Sequence, residues 1–102
     1  MITLNNLYSD EKPAKNSEIF STLFQNHSLK IEAIRSWLKT PGELYKQEQD
    51  EWVVLLNGKA CLQISDQKLN LIAGNYCFIP RHTEHQVLST SSDALWLGVF
   101  SS

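Results

Sequence analysis

Between Tyr45 and Gly58 the chain reads YKQEQDEWVVLLNG, a polar segment that runs straight into an apolar stretch and stops at an Asn-Gly pair. Asn57 and Gly58 tolerate positive φ at low cost, so the pair predicts a type I′ turn joining residues 51–56 and 59–64 as an antiparallel hairpin. Side chains alternate across a strand, which puts Tyr45, Gln47, Glu51, Val53 and Leu55 on one face and Trp52, Val54 and Leu56 on the other. The first face carries groups able to ligate or hydrogen-bond before it turns apolar. A strand apolar on both faces must be covered on both. That calls for a barrel interior on one side and an N-terminal element or a second subunit on the other.

The remaining pattern is a succession of short strands. Alternation over 29–37 predicts a strand with Leu29, Ile31 and Ala33 on one face and Lys30 and Glu32 on the other, although Ile34 breaks the simple pattern. Pro41-Gly42 then turns the chain toward the central stretch. Further strands are expected at 68–72, 76–79, 86–89 and 94–100, separated by turns at 65–67, 73–75 and 90–93. Residues 1–7 alternate loosely as an edge strand, and 9–16 form a polar loop around Pro13. Ile19, Phe20, Leu23 and Phe24 recur at helical spacing behind an Asn16 or Ser17 cap, predicting a short helix that ends near Asn26 and covers Trp52 and Val54. Strands of this length with helix only near the start indicate an all-β sandwich or barrel.

Length and composition narrow the partners. A chain of 102 residues has room for one domain and one modest core. A formal charge of −2 argues against a nucleic-acid or anionic-membrane surface. No run of about 18 apolar residues exists, and MITLNNLYSDEK lacks a basic segment followed by an apolar one, so a cytoplasmic location is expected. Cys61 and Cys77 show no CxxC or framework spacing and read as reduced thiols within strands.

Two stretches together resemble the cupin superfamily, whose members are small jelly-roll β-barrels. In its first motif, G(X)5HXH(X)3–4E(X)6G, the second half is met by Glu51, six residues and Gly58. In its second, G(X)5PXG(X)2H(X)3N, Gly74, Pro80 and His85 fall in place within GNYCFIPRHTEH, while His82 stands at a family glycine and Ser89 at the final asparagine. The chain also resembles a group of small cupins carrying Tyr-x-Gln ahead of Asp-Glu-Trp-Val and a His-x-x-His. The resemblance implies one domain over 1–102: an N-terminal extension with the short helix at 1–27 and a cupin jelly-roll β-barrel at 28–102.

The same resemblance implies a metal, commonly iron, manganese, nickel or zinc, held by two histidines and a glutamate of the first motif and a histidine of the second. Here Tyr45 and Gln47 occupy the first two of those positions, and only Glu51 and His85 match. Glu51, His85 and Gln47 are therefore the candidate metal ligands, with Tyr45 and His82 beside them as ligand-binding residues. Without a metal, Tyr45 and Gln47 orient a bound small molecule, and Glu51 and His85 form a general base and acid suited to isomerisation or epimerisation. A metal-binding cupin, a metal-free binding or sensing module and a small isomerase or oxygenase all stay open. Trp37, Trp52 and Trp96 are available to stack on a ring, but on strands such residues more often belong to core or interface. Apolar residues on both faces of 52–56 and 95–100 point to a homodimer.

Overall fold

The computed structural model describes all 102 residues. Nine strands follow one another: β1 Ser17–Gln25, β2 Leu29–Trp37, β3 Leu44–Tyr45, β4 Asp50–Asn57, β5 Lys59–Ile64, β6 Gln67–Ile72, β7 Tyr76–Ile79, β8 His85–Thr90 and β9 Ala94–Ser101. They form a five-stranded sheet, β1-β2-β9-β4-β7, and a four-stranded sheet, β3-β8-β5-β6, with every pairing antiparallel. No ladder joins the two sheets, so the architecture is a sandwich of two faces and not the closed barrel expected from the sequence. No helix is long and apolar enough to cross a membrane.

The expected helix at 17–24 is strand β1. It pairs along its length with β2, and the register slips between Thr22 and Phe24. The bulge accounts for the misleading spacing, because one extra residue shifts the apolar side chains between faces and imitates a helical period. An isolated helix this short would be marginal in water, whereas β-branched and aromatic residues favour the ladder that β2 offers. The Asn26 side-chain oxygen closes the turn between β1 and β2, accepting from the Ser28 and Leu29 amides at 2.9 and 2.8 Å. Residues 1–16 form no strand, and the edge strand expected at 1–7 is absent. This segment crosses the outer face instead, where Arg35 Nη2 donates to the Leu7 carbonyl at 2.6 Å.

The expected β4–β5 hairpin also gives way. β4 pairs with β7 and β9, while β5 pairs with β6 and β8 in the other sheet. Gly58 alone takes positive φ, +85°, where a type I′ turn needs two such residues. An added Cβ there would meet Asp93 Oδ1 at 2.9 Å and the Ala94 Cα at 3.0 Å. Gly58 therefore carries the chain across from one sheet to the other through a passage too narrow for any side chain.

Between the sheets lies one core, in which Val53 and Leu55 of β4 meet Leu62 of β5, Leu71 of β6, Ile79 of β7 and Trp96 of β9. Leu55 is fully buried. On β4 the alternation holds as read: Glu51, Val53 and Leu55 face inward, and Trp52, Val54 and Leu56 are half-buried on the outside. Trp52 is covered there by Tyr76, whose ring centroid lies 5.5 Å away, and not by an N-terminal helix.

Candidate functional site

At one end the sandwich opens into a cavity of about 170 Å³. Its floor is Glu51, the first inward residue of β4, which is 6% exposed and pairs across the sheet with Ile79 and Phe100. From the facing sheet comes His85, the first residue of β8 and also buried. Residues more than thirty positions apart in sequence meet here because β4 and β8 lie in opposite layers.

Glu51 Oε1 accepts from Gln47 Nε2 at 2.7 Å and lies 3.4 Å from His85 Nε2. His85 Nδ1 is 3.1 Å from the Thr83 carbonyl oxygen. A carbonyl can only accept, so Nδ1 carries a hydrogen, and in a neutral ring the Nε2 lone pair would then point at a carboxylate oxygen. A second proton on the ring removes that conflict. Burial disfavours the charged imidazole, but the Glu51 hydrogen bond and charge and the Thr83 carbonyl outweigh it and raise the His85 pKa above its ordinary value. The floor is thus a proton-holding acid–imidazole pair braced by an amide.

Tyr45 of β3 stands opposite His85 in the ladder and stacks on it, with ring centroids 5.8 Å apart and planes inclined by 27°. Its hydroxyl donates to Glu43 Oε2 at 3.2 Å. Burial, that hydrogen bond and nearby carboxylates push the Tyr45 phenol up to about 12, which keeps it a neutral donor.

The structure brings Tyr45, Gln47, Glu51 and His85 to one cavity and leaves His82 outside it. His82 is exposed at a left-handed φ of 63°, and its amide donates to the Gln47 carbonyl at 2.7 Å. Its contribution to the site runs through backbone, because the turn geometry directs the ring to solvent. Of the three tryptophans only Trp96 lines the cavity.

Several lining residues were not singled out from the sequence. Glu18 and Phe20 come from β1, and their place was hidden by the helical reading. Lys30, Glu32 and Ile34 come from the inward face of β2. Ile34 was the available signal: it shares its face with Lys30 and Glu32, marking that polar row as the covered one. Glu32 is 7% exposed, and Lys30 Nζ reaches it at 3.1 Å.

The donor set does not fit a resident transition metal. The cavity floor offers one imidazole, one carboxylate and a neutral amide, and nowhere in the chain do three or more His, Cys, Asp and Glu side chains lie close enough together to hold a metal ion. Protein sites for zinc and its neighbours draw on three or four such ligands. Moreover, the Gln47 amide presents its NH2 to Glu51, so its nitrogen end and not its carbonyl faces the shared oxygen.

No protein-family model and no curated protein matches this sequence. Solved structures do. A Ralstonia eutropha protein, provisionally described as a mannose-6-phosphate isomerase, superposes with a TM-score of 0.84 at 28% identity, covering 99% of each chain. KdgF from a Halomonas species gives 0.78 at 18% identity over 91% of this chain and 86% of its own. A cupin superfamily protein from Desulfitobacterium hafniense gives 0.74 at 17% identity over 98% and 97%.

Proposed function

Taking the chain as its fold makes it, a small cupin, we propose that it binds a small molecule between its sheets, with Glu51, Gln47 and His85 as the polar floor and Tyr45 as a neutral wall. The reading is carried by one observation: Gln47 and His85 converge on a single oxygen of Glu51 inside the cavity. The fold hosts many chemistries and does not choose among them, so no reaction is assigned. A divalent ion such as Zn, Ni, Mn or Fe at Glu51, His85 and Gln47 is the competing reading. Elemental analysis of tag-free protein distinguishes them. Metal well below one equivalent is expected, and one equivalent that disappears in the Glu51→Gln, His85→Ala double variant would overturn the metal-free site.

A second reading, a cofactor-independent isomerase or epimerase, has the His85–Glu51 contact in its favour. A proton held between an imidazole and a carboxylate is a ready donor and acceptor. Turnover of sugars or hydroxy acids that stops in His85→Gln would support it.

As a cytoplasmic homodimer the protein would cover apolar side chains that one chain leaves open. Phe20, Leu23 and Phe24 on β1 and Tyr76 and Phe78 on β7 are each about half exposed or more, and both strands are sheet edges. Sedimentation at micromolar concentration tests this, and a compact monomer would remove it.

A further inference from the structure

The outer face of the five-stranded sheet carries a second cavity, of about 360 Å³, beneath the N-terminal segment. Tyr8, Lys12 and Pro13 stand on the side of that segment, and Arg35, Trp37 and Leu95 on the side of β2 and β9. It shares no residue with the cavity between the sheets. Its volume lies in the range of small-molecule sites.

Arg35 is 8% exposed, yet no carboxylate lies within ion-pair distance of it and no aromatic ring lies under it. Its neighbours across the ladder are Ile19 and Leu95, so the sheet supplies no acid beside it. Its one hydrogen bond in the protein runs from Nη2 to the Leu7 carbonyl at 2.6 Å. Leu7 adjoins Tyr8, so this contact carries the charged head from the β2 side of the cavity to the facing segment. Nε and Nη1 make no bond, and the buried side-chain nitrogens sealed from water without a partner are the indoles of Trp37 and Trp96 alone. The free Arg35 nitrogens are thus neither met nor sealed, and they open onto the space that Arg35 lines. A guanidinium keeps its charge inside a protein, and a buried charge without a counter-ion is costly.

We infer that this outer cavity is a second ligand site, which takes a small monocarboxylic acid with its carboxylate against the Arg35 guanidinium and its carbon body against Trp37 and Leu95. Whichever Nη2 hydrogen Leu7 accepts, one two-pronged edge of the guanidinium stays free, and that edge matches a carboxylate. Charge selects a monoanion. Glu11 and Asp93 also line the cavity, both exposed, and they balance Arg35 and Lys12, so a phosphate dianion gains no net attraction there. Leu95 and Pro13 are buried and Trp37 is half-buried, which gives the carbon body an apolar surround. The inference does not rest on the Glu51 and His85 site.

Benzoate, benzamide and inorganic phosphate test the assignment at neutral pH: a monoanion, its neutral isostere and a more highly charged oxyanion. Each is titrated into labelled protein while proton–nitrogen spectra follow the Arg35 Nε–H and the Trp37 indole, assigned with Arg35→Gln and Trp37→Phe. Benzoate is expected to shift both signals saturably, with affinity about tenfold above benzamide, and phosphate to bind more weakly than benzoate. In Arg35→Gln, which keeps a donor for the Leu7 carbonyl, benzoate should fall to the affinity of benzamide. Benzamide binding as well as benzoate, phosphate binding better, or a benzoate response confined to residues between the sheets would overturn the inference. Silence from all three in large molar excess would mean that water alone meets Arg35, and would overturn it too. Should Arg35→Gln unfold, the comparison of probes on the native protein decides.

Discussion

Two of the three carboxylates that line the cavity between the sheets live under opposite conditions. Glu51 at the floor is 6% exposed and takes hydrogen from Gln47 and faces His85, so its charge is answered by the fold itself. Glu18 near the mouth is half-buried, holds only the Ser36 hydroxyl, and has Glu43 as a repulsive neighbour. The contrast separates two uses of a buried acid. A satisfied carboxylate fixes geometry and keeps a proton on its histidine partner; one without a cation carries its burial cost unrelieved.

Removing the partner of the satisfied acid should do the most damage. His85→Ala leaves the Glu51 charge buried with Gln47 alone, which costs roughly 3 kcal/mol of stability. Glu18→Gln keeps an acceptor for Ser36 and removes the repulsion from Glu43, so the change stays within about 1 kcal/mol. Urea unfolding of the two variants measures both. Equal losses would mean that the two carboxylates are held alike and would erase the distinction.

Titration sharpens the same comparison at smaller scale. His85 is raised in the native state, so the folded protein holds its proton where the unfolded chain has begun to release it. Its stabilising contribution is complete below the unfolded value of 6.5 and is lost as pH rises through the folded value. Glu18 is likewise raised, so stability declines as pH climbs from the unfolded value of 4.5 through its folded one. Both slopes point downward with pH, one beginning at 4.5 and the other at 6.5. Unfolding free energy measured across this range should lose its upper slope in His85→Gln and its lower slope in Glu18→Gln. An upper slope that survives in His85→Gln would place the titrating proton on another group.

The floor was legible in sequence and the mouth was not, for physical reasons. Glu51 is the first inward residue of a strand that alternates cleanly up to Gly58 at φ +85°, and His85 stands eleven positions after Gly74 at φ +96°. Such positions leave a mark at fixed spacing. β1 leaves none: its bulge between Thr22 and Phe24 breaks the period of two, so Glu18 and Phe20 were assigned to a helix. The Asn57-Gly58 pair misled in the other direction. Local turn preference named a hairpin, but the packing of Ser91 and Asp93 around Gly58 sends β5 into the second sheet, which no local signal encodes. The strands from β4 onward and the inward face of β4 are local properties legible in the residues; which strands pair is a property of the whole chain.

His82 offers the smallest effect and a clean separation of backbone from side-chain roles. It occupies a glycine position of the second motif, and its φ of 63° explains why glycine suits that position. Its ring is exposed and outside the cavity, whereas its amide holds the Gln47 carbonyl at 2.7 Å and so helps to aim the residue that braces Glu51. His82→Gly relieves the left-handed strain and loosens the unfolded chain by similar amounts, leaving stability within about 1 kcal/mol of the parent. The amide and its hydrogen bond remain, so the affinity for a cavity ligand should not change. A loss of affinity without loss of stability would show that the imidazole reaches the ligand after all, and would extend the floor of the site into the turn between β7 and β8.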